Sequence, residues 1–306
     1  MDPDVIDVTT SKYDVNLSGQ TSEEQLEKYN DCINAPFSEE LDYTDDFMEY
    51  SLEVLDYITN NYKASVVYEN LATGYSLTIH PESVYYAAST IKALGALYIY
   101  TGAAKGEINL DETIKYESKY KYKASKGMEQ HKIGEELTLR KLVSYSIIYS
   151  DNSAHQMLMD YIGNPTLREF GLSLGAKYTL QSAYENFGNI SGWDALIYIK
   201  AINEFINENP VLGAELQEML INAEQNDLEI TDLGIKAAHK YGSYSSYYHD
   251  YGIVYAESPY VVVILTTEGK GDYQGKVKNI NRHIYELNQL LTNNRKNRCQ
   301  IEVYGK

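Results

Sequence analysis

At 306 residues and 43% apolar content, the chain is long enough to bury an ordinary core as one large domain or two small ones, which excludes disorder throughout. The formal charge of −18, from 26 Lys and Arg against 44 Asp and Glu, repels phosphate backbones. No basic cluster interleaved with aromatics offsets it, so nucleic acid is not an expected partner. No run of about 18 apolar residues occurs and no short apolar stretch follows a basic N-terminus, so neither a membrane span nor an intact signal peptide is expected.

Much of the acidity lies in the first segment, since 13 of the 44 acids fall in residues 1–46 against only Lys12 and Lys28. Residues 1–43 are polar with little periodicity and read as a linker, or as an arm docked on a domain that begins near Thr44. Thr44 is placed to cap a helix carrying Met48, Leu52, Leu55 and Ile58 on one face. Two β-prone runs follow, Ala64 to Glu69 and Tyr75 to Ile79, around a hairpin loop at 70–74. The middle turns helical, at 89–104, 138–149, 153–162, 166–174, 193–207 and 212–224, with Asn164-Pro165 and Ser191 as start signals. The basic run Lys115 to Lys126 is broken by Tyr116, Tyr120 and Tyr122 and reads as a solvated flap.

Strand character returns at Ile235 to Tyr241, Gly252 to Glu257 and Tyr260 to Thr267. A last helix carries Ile280, Ile284, Leu287 and Leu291, and 294–306 reads as a tail. The expected fold class is therefore α+β: an antiparallel sheet assembled from both ends of the chain (44–80 and 230–293) and flanked by helices, with an all-helical lobe (81–229) beside it. The cleft between lobes is the natural site. Cys32 and Cys299 lie in the two end segments. They are either free thiols or a bridge worth about 4–5 kcal/mol in the chain-entropy picture. The 31 tyrosines fit either a sheet face or a contact surface.

Three short patterns carry chemistry. In Ala88-Ser89-Thr90-Ile91-Lys92, a serine opens an apolar helical run and a lysine follows on the same face. A serine there has its own N–H free to donate to a developing oxyanion, with the lysine in reach of its hydroxyl; the simpler alternative is a helix cap. Ser118-Lys119-Tyr120-Lys121 has the same spacing but no apolar helix behind it. Ser150-Asp151-Asn152 sits between two helical segments. A given tripeptide of this kind arises by chance in such a chain with odds on the order of one in ten or less. Ser150 can relay a proton and the Asn152 amide can both donate and accept, although the same residues also favour a capping turn. The third pattern is His239-Lys240-Tyr241-Gly242-Ser243, ending a strand that returns to the sheet. Lys132-Ile133-Gly134 matches Lys-x-Gly too, so order and context decide.

With these three in that order, residues 45–293 resemble the class A β-lactamases and their penicillin-binding relatives, whose signature is S-x-x-K, S-D-N and K-T-G. The resemblance implies that family's fold and a scheme in which Ser89 attacks an amide carbonyl. Lys92 would be the base, directly or with Glu185 through a water, and Ser150 would pass a proton to the leaving nitrogen. Asn152 and Lys240 would hold the substrate, and the N–H groups of Ser89 and Ser243 would hold the oxyanion. Glu185 fits the family's Glu-x-x-x-Asn pattern, Glu185 to Asn189, with a shorter stretch after it than usual and no evident arginine near Ala183. Tyr241 stands where the family has Thr or Ser, so the pocket is either reshaped or partly blocked.

A lysine stays neutral near pH 7 only where burial and a like charge depress its pKa, and Lys240 supplies that charge. The implied substrate is a β-lactam or a peptidoglycan peptide, with no metal and no other cofactor. The implied location is the cell envelope or outside the cell, with membrane contact only through a segment absent from this chain. A D-alanyl-D-alanine peptidase and a catalytically silent binding domain are the other readings, and the joint presence of Ser89, Lys92, Ser150, Asn152 and Lys240 argues against the last. The six histidines show no metal spacing, and no G-x-S-x-G elbow is present.

Overall fold

The computed structural model describes residues 22–122, 125–180, 187–267 and 271–305. In chain order its helices are α1 (Glu23–Ile33), α2 (Glu39–Asp42), α3 (Asp45–Asn61), α4 (Ile91–Ala104), α5 (Leu139–Ile148), α6 (Asn152–Ile162), α7 (Asn164–Ser173), α8 (Gly192–Glu208), α9 (Leu212–Ile221) and α10 (Tyr273–Tyr304). The strands are β1 (Ala64–Asn70), β2 (Ser76–Ile79), β3 (Val84–Tyr86), β4 (Thr113–Lys115), β5 (Glu136–Thr138), β6 (Asn189–Ser191), β7 (Ala237–Tyr244), β8 (Tyr247–Val254) and β9 (Tyr260–Thr266).

Five strands form one antiparallel sheet in the order β2-β1-β9-β8-β7, so strands from both ends of the chain meet at the β1–β9 ladder. Every residue of β9 is buried, which is why that strand reads as an unbroken apolar run instead of an alternating one. Alternate residues serve two cores. Val66, Tyr68, Val262 and Ile264 pack with Ile58, Ile280, Ile284 and Leu287 of α3 and α10, while Val67, Val261, Val263 and Leu265 pack with the helical middle, including Ile199 of α8. Each such side chain contributes about 1.5–3 kcal/mol of burial. The fold is thus α+β, with helices on both faces of an antiparallel sheet and a helical cluster beside it. Two short ribbons, β3–β6 and β4–β5, lie within the helical half.

Several local readings shift. On α3 the buried stripe is Phe47, Ser51, Val54 and Ile58, while Met48 and Leu52 are 45% and 62% exposed. Two stripes one residue out of phase both satisfy the helical period. Phe47 wins because its ring packs against Phe37 and Tyr75, and Ser51 is tolerated inside because its hydroxyl donates to Phe47 O at 2.7 Å. Thr44 occupies the N-cap position of α3 without capping it; its hydroxyl instead accepts from Asn294 Nδ2 at 2.8 Å. Strands β7 and β8 meet in a tight hairpin at Tyr244–Tyr247, so β8 begins before the expected Gly252 and takes in the buried His249 and Asp250.

Residues 294–304, read as tail, continue α10, and residues 23–33 form α1 behind a capping box of Ser22 and Gln25. Cys32 and Cys299 form a disulfide between these helices. Beside it the buried Arg295 guanidinium donates to Asp42 at 2.6 and 3.1 Å and to Ile33 O at 3.2 Å.

Candidate active site

Ser89 lies in a 3-10 turn, Ala88–Thr90, that runs into α4. Ala88 has φ +49°, a left-handed conformation unfavourable for a side chain bearing a Cβ. The turn is clamped from two sides: Thr90 Oγ1 donates to Ala87 O at 2.6 Å and the buried Tyr251 hydroxyl donates to Thr90 O at 2.9 Å. Ser89 itself is half-buried, so the turn presents it to the cleft. A Cβ at Gly242 would come within 2.9 Å of both Ala87 O and Thr90 N, so glycine is what lets β7 close on the serine turn.

Three residues on from Ser89 the amine of Lys92 is buried, and its Nζ donates to Ser150 O at 2.6 Å and Asn152 Oδ1 at 2.8 Å, and lies 3.3 Å from Ser150 Oγ. Lys240, fully buried on β7, donates to the same Ser150 Oγ at 3.1 Å and to Tyr241 O at 3.0 Å. Ser150 is held with φ +52° between α5 and α6. Asp151 is the anchor of that corner: it accepts from Ala154 N and Met128 N, each at 2.9 Å, and so caps α6 and ties down the preceding loop. The middle residue of Ser150-Asp151-Asn152 is therefore architectural, while its neighbours face Lys92.

Burial holds the Lys92 amine well below the usual lysine range, the Lys240 charge adds to the effect, and Asp151 opposes it. Lys240 is pushed down to about 7 by burial, with the Asp250 carboxylate opposing. A depressed pKa favours the neutral amine, whose free lone pair is what a proton acceptor needs. Tyr241 does not swing clear of the cleft: its half-buried ring lies 4.2 Å from Lys240 Nζ. Burial raises its phenol, and the nearby Ser150 hydroxyl opposes the shift. Ser243 follows on β7 with an exposed side chain. Glu185 lies outside the described residues.

The two look-alike motifs fall elsewhere. Ser118 and Lys121 are exposed on a separate 3-10 turn, and Lys132, Ile133 and Gly134 are exposed in a loop. Two features went unread in the sequence. His239 Nδ1 contacts the Asp250 carboxylate at 2.8 and 3.0 Å, both groups fully buried behind Lys240; β-pairing of Tyr241 with Asp250 is the signal that would have found them. The Phe187 ring lies 5.8 Å from Lys92 Nζ and 5.1 Å from the His155 ring, and no local pattern marks it. Among the described residues no group of His, Cys, Asp and Glu is arranged to hold a metal ion.

Solved structures share this fold. A β-lactamase from Sphaerobacter thermophilus is 21% identical with a TM-score of 0.69, over 79% of this chain and 97% of that one. PBP-A, in a variant captured as an acyl-enzyme with penicillin G, is 18% identical with a TM-score of 0.70, over 79% and 97%. A β-lactamase from Chitinophaga pinensis is 18% identical with a TM-score of 0.69, over 79% and 98%. No curated protein matches in sequence. The sequence profile of the Beta-lactamase enzyme family matches residues 52–287, a span that takes in the serine turn, Ser150, Asn152 and the β7 lysine. The chain belongs to that β-lactamase family and has its serine-hydrolase-like architecture.

Proposed function

We propose that this chain is a serine acyl-transfer hydrolase that opens β-lactam amides through an acyl-enzyme on Ser89. The observation that carries the proposal is the pair of buried lysines meeting at one hydroxyl. Lys92 and Lys240 both reach Ser150 Oγ, which links a base beside the nucleophile to a proton donor across the cleft. Ser89 Oγ forms a bond to the amide carbonyl carbon as its proton passes to Lys92. The carbon–nitrogen bond then breaks, and the leaving nitrogen takes a proton through Ser150. Water hydrolyses the resulting ester, with Glu185 as the residue assigned to activate it. The N–H groups of Ser89 and Ser243 hold the oxyanion, each such donor worth about 2.7–4 kcal/mol of barrier. Asn152 aligns the substrate amide and Lys240 draws its carboxylate.

A second reading, a D-alanyl-D-alanine peptidase with a long-lived penicillin adduct, is favoured by Phe187. An apolar ring flanking Lys92 removes space for water on that side. Either activity is proposed to operate at the cell envelope or outside the cell, where a disulfide such as Cys32–Cys299 persists. Incubation with a fluorescent penicillin, followed by intact mass over time and peptide mapping, tests both readings. The expected result is an adduct on Ser89 that is absent from Ser89→Ala. Labelling of Ser118 instead, or undiminished labelling of Ser89→Ala, refutes the assignment. Fast release supports the hydrolase, and slow release the peptidase.

A further inference from the structure

An ammonium group has three N–H bonds to place, and each one on Lys240 already has a partner. Nζ donates to Ser150 Oγ at 3.1 Å and to Tyr241 O at 3.0 Å. The third direction is left to the Tyr241 ring, whose centroid lies 4.2 Å away, within the range at which an aromatic face holds a cation. A neutral amine has two N–H bonds, and the same two oxygens use both. Lys240 is fully buried, while Tyr241 is half-buried. An amine with no exposed surface, beside a ring that is itself partly in water, is screened from the cleft by that ring.

The surroundings of the ring reinforce the screen. Burial is the chief cause that raises the Tyr241 phenol, and the charges adding to it are carboxylates, those of Glu224, Asp250 and Asp227. Lys126, on the flap before Ser150, is itself paired with Glu224. An incoming carboxylate therefore meets an aromatic ring among anions, and the ammonium assigned to it lies behind that ring. The backbone beneath is fixed, since Tyr241 pairs with Asp250 in the β7–β8 ladder and its carbonyl holds Lys240. Rotation about the Cα–Cβ bond moves the ring alone and leaves both of these in place.

We infer that the Tyr241 ring is a lid on Lys240, closed in the resting structure, which a carboxylate on the leaving side of the substrate must displace to reach the amine. The inference rests on the acyl-transfer reading above and deepens it, because it makes Tyr241 the residue that sets how strongly the site selects for that carboxylate. Opening the lid gives up the ring's contact with the ammonium, and a desolvated contact of this kind corresponds to about a tenfold factor or more. Lys240 draws the carboxylate only after that loss. A substrate whose leaving side is neutral reacts with the lid closed and does not incur it. A threonine or serine at this position is too short to reach over Nζ and would leave the amine open to the cleft.

The test compares benzylpenicillin with its methyl ester, which share one nucleus and one acyl group and differ in the leaving-side charge. Second-order rates of Ser89 acylation are read by intact mass in the parent, Tyr241→Thr and Tyr241→Phe, with Tyr241→Ser in reserve where the threonine variant folds poorly. The expected acid-to-ester rate ratio is about tenfold higher in Tyr241→Thr than in the parent, whereas Tyr241→Phe keeps the ring and with it the parental ratio. A general change in the shape of the cleft would move both rates together and leave the ratio alone. A ratio that rises less than about threefold in Tyr241→Thr, or that rises equally in Tyr241→Phe, overturns the lid and leaves the acyl-transfer reading intact. An ester too slow to read beside a fast acid in the parent would show an amine already open, and overturns the lid as well. If neither penam acylates Ser89 in any form, both readings fall.

Discussion

Replacing Lys240 by alanine separates two duties proposed for that one side chain, and the expected effect can be worked from three atoms. Lys92 Nζ and Lys240 Nζ lie 3.3 and 3.1 Å from the same Ser150 oxygen, so the two nitrogens are no more than about 6 Å apart. At that separation and an effective dielectric of 20, two unit charges repel by about 3 kcal/mol, or roughly two pKa units; halving the interaction for solvent entry leaves about one. The repulsion lowers Lys92, so Lys240→Ala raises it. Acylation needs the neutral Lys92 amine and fails as pH drops through its pKa. The acid limb of the acylation rate against pH therefore moves upward by about one to two units. The plateau falls independently, because the substrate carboxylate loses its partner. Second-order acylation rates measured by intact mass across the acid range give the midpoint apart from the amplitude. A normal plateau with an unmoved midpoint would place Lys240 outside the reacting site, and a lowered plateau with an unmoved midpoint would refute the electrostatic argument alone.

Three further outcomes are expected. Glu185→Ala should still acylate, at a reduced rate, and then stall, since loss of a general base costs ~10²–10⁴-fold in the step it serves; deacylation half-lives equal to the parent's would end the role assigned to Glu185. Gly242→Ala drives a Cβ against Ala87 O and Thr90 N, so it should slow acylation at least tenfold, the fold-change of about 1.4 kcal/mol, with little loss of secondary structure by circular dichroism; unchanged acylation would show that β7 need not approach the serine turn so closely. Cys32→Ser with Cys299→Ser, opening a loop whose ends are 267 residues apart, should lower unfolding free energy by about 5–6 kcal/mol on the chain-entropy picture, and a guanidinium titration showing a loss under about 1 kcal/mol would contradict it.

What the sequence disclosed and what it hid divide along physical lines. The serine turn and the cluster of Ser150, Asn152 and Lys240 were readable as candidates because each pairs a residue type with a fixed local spacing: a serine and a lysine on one helix face, a polar corner between helices, a lysine and a glycine on a strand. The strands and most helices were readable from periodicity. The face of α3 was misread because two stripes one residue apart have the same period, and only the third dimension, through the rings of Phe37 and Tyr75, selects Phe47. The extension of α10 was hidden because residues 294–304 carry almost no apolar pattern. Their helix is held by a disulfide and by Arg295 reaching Asp42, both long-range events. The capping box at Ser22 and Gln25 did announce α1 and went unread. Much of the tyrosine excess resolves into buried rings with a partner for the hydroxyl, such as Tyr68 on Asn288 and Tyr260 on Asn281.

The buried amines that the proposed acyl transfer uses weigh against the stability of the fold, and the sign of that cost follows from the direction of their pKa shifts. A lysine at 10.5 in the unfolded chain and about 7 in the fold binds fewer protons when folded. The cost attached to Lys240 is therefore present in full below pH 7, on the order of 5 kcal/mol, and is relieved as pH rises from 7 toward 10.5. Lys92 acts in the same direction. Counterweights lie on the far side of the sheet, where Phe47, Ile58, Ile284 and Leu287 form a core that includes none of these site residues, and where α1 is bound to the end of α10 by the disulfide. The His239–Asp250 pair occupies the zone between the two. Its carboxylate favours a charged Lys240, and with it the repulsion that lowers the Lys92 pKa. The placement of one buried carboxylate beside β7 thus couples the two lysines' protonation states, and in the proposed scheme a base and an anion hold share a single serine hydroxyl without both amines losing their charge together.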